Sequence, residues 1–180
     1  MEGIQRSVDK AFDIARRRIA GHDHIAEGID GGLDHHVGNG EHGALDAGRQ
    51  ADADHFLQLM SGKVFEYPVF LDIEVTPRQY KKYITDAAVV FCRELENKGY
   101  FAGIYASDIS GFKDLLSIDR VAPFCKWVAR YGNKPAYVKN YALWQYTSKG
   151  TIPGISGPVD IDISYKNFPK IIKGGHFNGY

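Results

Sequence analysis

Two short runs of the chain carry carboxylates at a spacing that could do chemistry. In YPVFLDIEV (67–75) an extended backbone would send successive side chains to opposite faces. Phe70, Asp72 and Glu74 then share one face, and Leu71, Ile73 and Val75 the other. Two acids side by side at the C-terminal end of a parallel strand are costly to bury without a task, and α/β barrels collect their catalytic groups at that end. An apolar wall can hold one such acid protonated while its neighbour stays ionised. Cleavage of a glycosidic bond needs that pair: a proton donor, and an anion beside an oxocarbenium-like centre. The same tripeptide also suits a solvated strand end. PVDIDISY (158–165) repeats the pattern, with Asp160, Asp162 and Ser164 facing one way and Val159, Ile161 and Ile163 the other; the competing reading is a polar edge facing water. Trp127, Tyr131, Trp144 and Tyr146 fall on two neighbouring strand candidates, where aromatic faces can stack on sugar rings or simply fill a core.

The elements that must position these groups are regular from residue 61 onward. After the 67–75 strand, Thr76, Pro77 and Gln79 read as a helix start, with Thr as N-cap, Pro at the first helical position and Gln in a capping box. Tyr80, Ile84, Ala87, Phe91 and Leu95 recur every three or four residues, and Gly99 is placed to end that helix. Further strand candidates are FAGIYAS (101–107), FCKWVARY (124–131), YALWQYTS (141–148) and PVDIDISY (158–165), with a helix-like stretch around 108–119. Strands alternating with helical connections predict a parallel sheet with crossovers, the last of them shortened.

Upstream the text is different. Residues 1–20 could form a basic amphipathic helix on Ile4, Val8, Phe12, Ala15 and Ile19. Residues 21–48 are rich in Gly, Asp and His, with no apolar run long enough for a buried strand, and should be irregular. A helical stretch at 49–60 then carries Phe56, Leu59 and Met60 on an apolar edge. His22, His24, His35, His36 and His42 include HxH and HH pairs that could ligate Zn²⁺ or Ni²⁺, but no regular frame fixes their geometry, and no metal site is assigned.

At 180 residues the chain is long enough to bury a core. Its 22 basic and 22 acidic residues balance, which removes the bulk electrostatic case for a nucleic-acid or membrane-surface partner. No apolar run approaches the roughly 18 residues of a membrane span. Cys92 and Cys125 lie in apolar surroundings without a metal spacing and read as reduced core residues. The N-terminus lacks the apolar stretch of a signal peptide, so the expected path is synthesis in the cytoplasm and release by another agent.

YPVFLDIE, GIYAS, the W-x-A-x-Y of Trp127–Tyr131 and LWQYTSKGTIPGISGPVDID resemble, in order, glycoside hydrolase family 25 lysozymes, from about Ala51 to the C-terminus. The D-x-E strand together with the WQYTS run is a specific signature. The resemblance implies an α/β fold of the (β/α)8, TIM-type barrel kind with shortened late helices. It implies hydrolysis of the β-1,4 bond between N-acetylmuramic acid and N-acetylglucosamine in peptidoglycan, at the bacterial cell wall, with no cofactor. Glu74 corresponds to the family's proton donor, Asp72 to the neighbouring carboxylate and Asp160 to a third acid. Tyr105, Trp127, Trp144 and Gln145 correspond to cleft residues. The alternative is a remnant that binds peptidoglycan glycan strands without cleaving them.

Against the family pattern, an opening strand of the form G-I-D-V-S is missing: the chain reads MEGIQRS, with Gln5 at the place of the acid and Asp30 as a weak substitute. The recognised part supplies about five of eight strands, an incomplete barrel with two parallel edges and an atypical segment at 1–50. We read residues 5–50 as the product of a shifted reading frame that ends near ADADHFL (51–57). Translation of the underlying DNA in all three forward frames checks this. The expected outcome is strand-like family sequence over this interval in one of the other two frames.

Overall fold

The computed structural model describes residues 51–74 and 77–180. The expectations for residues 1–50, including the basic helix, the histidine pairs, Gln5 and Asp30, lie outside the described residues, as do Val75 and Thr76. Residues 51–60 are helical, with Ala53, Phe56 and Met60 buried on one face. They belong to a unit that ends at Ser61; Gly62–Tyr180 form a second compact unit, described below.

That second unit is a five-stranded mixed α/β sheet in the order β1-β2-β3-β4-β5. Its strands are β1 (Val69–Ile73), β2 (Ala102–Ser107), β3 (Cys125–Ala129), β4 (Leu143–Gly150) and β5 (Val159–Ser164). β1 to β4 are parallel and β5 is antiparallel to β4. The strand positions follow the sequence reading. The far edge does not: among the described residues β4 is followed by an antiparallel strand, because the chain after it turns back rather than crossing over. Gly154 and Gly157, both at positive φ, lie in that return.

Two helices complete the unit, α1 (Lys81–Asn97) and α2 (Phe168–Gly175). α1 buries Ile84, Thr85, Ala88, Phe91, Cys92 and Leu95. It covers the sheet face that carries Leu71, Ile73, Ile104, Ala106 and Val128, all at 2 % exposure or less. The Cys92 thiol reaches the Gly103 carbonyl at 3.6 Å, and both cysteines are free. Gly99 ends the helix as expected. At φ 81° it lets Tyr100 N–H return to the Leu95 carbonyl and its own N–H to Glu96, a Schellman closure. The helix start differs from the expectation. Residues 78–80 form a 3-10 turn after an extended Pro77, and the α-helix begins at Lys81 with no side-chain cap.

The 108–119 stretch is not a regular helix either. Asp108–Lys113 form a wide π-helical turn capped by Ser107, whose Oγ accepts from Gly111 N–H at 2.8 Å. A side chain at Gly111 would meet Ala106 Cβ at 2.6 Å, so the turn lies flat on β2. The base of the sheet is tied by Asn178, fully buried near the C-terminus. It donates to the Tyr67 carbonyl at 2.8 Å, accepts from Phe101 N–H at 2.7 Å and holds a positive φ that Asn tolerates.

Gly103 permits the packing under the acids. A methyl group there would sit 2.5 Å from the Phe70 ring and 2.9 Å from the Cys125 carbonyl. Gly103→Ala is therefore expected to cost about 1–3 kcal/mol in denaturant unfolding, as for other overpacked cores. It should also change tryptophan fluorescence, because Phe70 contacts Trp127. An unchanged unfolding midpoint would contradict this packing.

Candidate active site

Parallel pairing aligns side chains in rows across the sheet. Asp72 lies opposite Tyr105, and Tyr105 opposite Trp127. The rings of Tyr105 and Trp127 meet edge-on at 4.8 Å, and Phe70 meets the same indole at 5.3 Å. Two rows further on, on the same face, Ser107, Ala129, Gln145 and Asp162 are in register. The Trp127 indole N–H donates to Asp162 Oδ1 at 2.6 Å. The hydroxyls of Tyr105 and Tyr131 both donate to Gln145 Oε1, at 2.8 and 3.1 Å.

β5 runs against β4, with Val159 opposite Gly150 at the far end of β4. Asp160 thus reaches the end of the sheet where Glu74 follows β1. It arrives there from the start of an antiparallel strand, not from the end of a parallel one. The electrostatics report the convergence. Burial pushes the Tyr105 phenol above its ordinary value, and the Tyr131 hydroxyl and the carboxylates of Asp72, Asp160 and Asp162 push it further. Tyr105 therefore stays protonated and keeps its donor. Loss of hydration also raises the Asp162 carboxyl; the Trp127 hydrogen bond opposes this and the Asp160 charge adds to it. Glu74 is half-buried and opens onto an adjoining cleft of about 500 Å³, lined also by Arg78, Tyr105, Ser107, Arg130 and Tyr131.

Of the sequence-predicted residues, Asp72, Asp160, Tyr105, Trp127 and Gln145 share one face, with Glu74 just beyond β1. Trp144 is not brought to them. It pairs with Val128 and Ile163 in the row between, is buried, and donates its indole N–H to the Arg130 carbonyl at 2.8 Å. Alternation along β4 requires this, since Gln145 occupies the acidic face.

The sequence reading missed Asp108. It is 1 % exposed and accepts from Arg130 Nη1 at 2.6 Å and from the backbone N–H groups of Ala136, Tyr137 and Val138. No local pattern signals this, because its partners lie 22 to 30 residues away. Asp162 was visible, two residues from Asp160 on the same face.

Known proteins share this fold. The family model for glycosyl hydrolases family 25 matches residues 25–155. The chain belongs to that family. The match begins within the atypical N-terminal segment, upstream of Ala51. The chain is 33 % identical over 113 residues to an autolytic lysozyme of Clostridium acetobutylicum, an alignment covering 62 % of this chain and 34 % of that protein. It is similar to the crystal structure of the CTP1L endolysin, with a TM-score of 0.59 and 31 % identity, covering 72 % of this chain and 46 % of that one. A family 25 glycosyl hydrolase from Bacillus anthracis shares the fold, with a TM-score of 0.54 and 21 % identity over 72 % of this chain and 63 % of that one. The chain thus spans about a third of the length of the autolytic lysozyme.

Asp108 supplies a pH test. Burial raises its carboxyl, but the N–H groups of Val138 and Ala136, the Arg130 guanidinium and Tyr137 N–H outweigh burial and hold it below the ordinary carboxylate range. A depressed carboxyl stabilises the fold above its unfolded value of about 3.9, and that contribution fades as pH falls through the folded value. Asp108→Asn should cost about 2–4 kcal/mol at neutral pH in urea unfolding. The gap to wild type should close below about pH 4. A gap that is flat with pH would rule out the charge as its source.

Proposed function

We propose that this family 25 domain hydrolyses the β-1,4 bond between N-acetylmuramic acid and N-acetylglucosamine in peptidoglycan, acting at the bacterial cell wall. In this reading Glu74 is the proton donor, facing a cleft large enough for a sugar unit. Asp72 and Asp160 supply negative charge beside the oxocarbenium-like centre, or orient the N-acetyl group. Tyr105 and Trp127 form the wall against which the sugar lies, and Gln145 holds Tyr105 and Tyr131 at their hydroxyls. No cofactor enters the scheme. The five strands are read as part of a (β/α)8-type barrel, and residues 5–50 as a frame-shifted replacement for its opening strands.

The observation that carries this reading is that strand register sets Asp72 beside Tyr105 and Asp162 beside Gln145, on the face where Tyr105 bonds Gln145, with Glu74 in the adjoining cleft. Four carboxylates at one end of a sheet repel one another, and a purely structural role would disperse them. For the same reason a glycan-binding remnant is less well supported. Binding alone gives a cluster of carboxylates no task that offsets their mutual repulsion. The autolytic lysozyme and endolysin relatives point the same way.

Turbidity clearing of bacterial cell walls tests the assignment. Glu74→Gln, nearly isosteric, should lower the rate at least about 100-fold with the fold retained, the usual loss for a general acid. Asp72→Asn should also be severe. Glu74→Gln at near wild-type rate would sink the assignment. The same assay should show stronger lysis when residues 5–50 are replaced by the alternative-frame sequence; equal lysis would mark the segment as a genuine replacement.

A further inference from the structure

Trp127 stands on β3, yet its indole N–H meets a carboxylate on β5, with β4 between the two strands. Neighbouring strands lie about 5 Å apart, so the contact spans about 10 Å of sheet and lays the indole across β4. We propose that Asp162 is a positioning residue: by accepting the Trp127 N–H, its carboxylate fixes the aromatic wall on which the sugar stacks, and it takes no part in proton transfer or charge stabilisation at the cleaved bond. This rests on the glycan reading above and deepens it. Asp160 and Asp162, two residues apart on one strand, are given different tasks.

The ring contacts of Trp127 come from one side of β3. Tyr105 on β2 and Phe70 on β1 meet it edge-on at 4.8 and 5.3 Å. Edge contacts of this kind hold a ring by its flank and tolerate tilting. Asp162 supplies the restraint on the opposite side, at 2.6 Å from the indole nitrogen. An indole has a single donor, and a charged acceptor roughly doubles the strength of such a bond. β4 is shaped at the same place. Its register passes from Gln145 opposite Asp162 to Thr147 opposite Ile161, so Tyr146 is an extra residue beside Asp162. A bulge there bends the strand and re-aims its neighbours, next to the side chain that must reach across β4.

The fold itself has little need of this bond. Asp162 is an exposed residue on the last strand of the described sheet, so replacing it opens no cavity in the core. Trp127 is half-buried, which leaves part of its ring open to a ligand. Holding a carboxylate there is also unfavourable in itself, since lost hydration and the Asp160 charge both act against its ionised form. A stacking wall serves bound substrate and transition state alike, so misaligning it weakens binding more than turnover. A carboxylate acting on the reaction would show the reverse.

The test uses the full chain and two readouts. One is steady-state cleavage of a soluble, alternating N-acetylglucosamine–N-acetylmuramic acid octasaccharide. The other is the Trp127 indole N–H resonance of the ¹⁵N-labelled protein, one of two such signals and assigned by its loss in Trp127→Phe. Asp162→Leu is close in size and has no acceptor. It should raise KM about tenfold, leave kcat within about threefold, and move the Trp127 resonance. Asp162→Asn keeps an acceptor oxygen and should recover most of both effects. Trp127→Phe should raise KM by a similar factor, and adding Asp162→Leu to it should raise KM little further, because the pair acts as a unit. A loss in Asp162→Asn as large as in Asp162→Leu, and falling on kcat, would give the charge a part in the reaction and overturn the proposal. A Trp127 resonance unmoved by Asp162→Leu while cleavage continues would overturn it as well, and would leave the glycan reading standing. Should Asp162→Leu not fold, the kcat and KM of Asp162→Asn and Trp127→Phe still separate the two roles. A wild-type chain that neither cleaves nor binds the octasaccharide fails the glycan reading itself, and the positioning role with it.

Discussion

An extended backbone has two faces, and four strands in parallel register keep those faces aligned across the whole sheet. Everything at the site depends on that constraint. The face under α1 carries Leu71, Ile73, Ile104, Ala106 and Val128, all essentially dry. Burying them contributes on the order of 10 kcal/mol. A one-residue slip of β1 would exchange that row for Phe70 and Asp72 and drive a carboxylate against the helix. Repulsion between two acids on the other face would reach only about 1–4 kcal/mol even at about 4 Å near a protein surface. The apolar face wins, and the acids stay gathered because their neighbours on the chain are held down.

The acidic face is then made workable by neutral donors. Tyr105 and Tyr131 share the Gln145 carbonyl oxygen, and the Trp127 indole rests on Asp162. These donors are uncharged hydroxyl and indole groups, so they hold aromatic walls beside the carboxylates without cancelling them. Preorganised dipoles of this kind act where charge develops and need not reorient during reaction. Asp108 is the separate anchor. By gathering Arg130 and the backbone of residues 136–138 around one buried charge, it fixes the loop that follows β3.

The parts legible in the sequence were those decided locally. Period-two alternation located the five strands of the described residues and put Asp72 on the face opposite Leu71 and Ile73. Gly99 announced the end of α1, because its positive φ is a property of that residue alone. The misread parts were decided at a distance. Thr76, Pro77 and Gln79 looked like a helix start, yet the α-helix begins at Lys81 after a 3-10 turn. The 108–119 stretch has helical composition, but Ser107 and the Gly111 contact with Ala106 open it into a wider turn. Trp144 was assigned to the cleft with Gln145, although adjacent residues on a strand cannot share a face; that signal was in the sequence. Asp108 and Asn178 were invisible because their partners are far along the chain.

Asn178 joins the start of the sheet to its last turn across 111 residues. Loop closure over that span comes late for a chain that emerges from the ribosome in order. While β1 and β2 are already available to pair, the polar groups of Tyr67 and Phe101 at their base still lack the side chain that satisfies them. Completion of this unit thus waits until Asn178 has left the ribosome. A nascent chain stalled short of Asn178 would present a sheet with an open floor, a form that chaperones and proteases would distinguish from the finished domain.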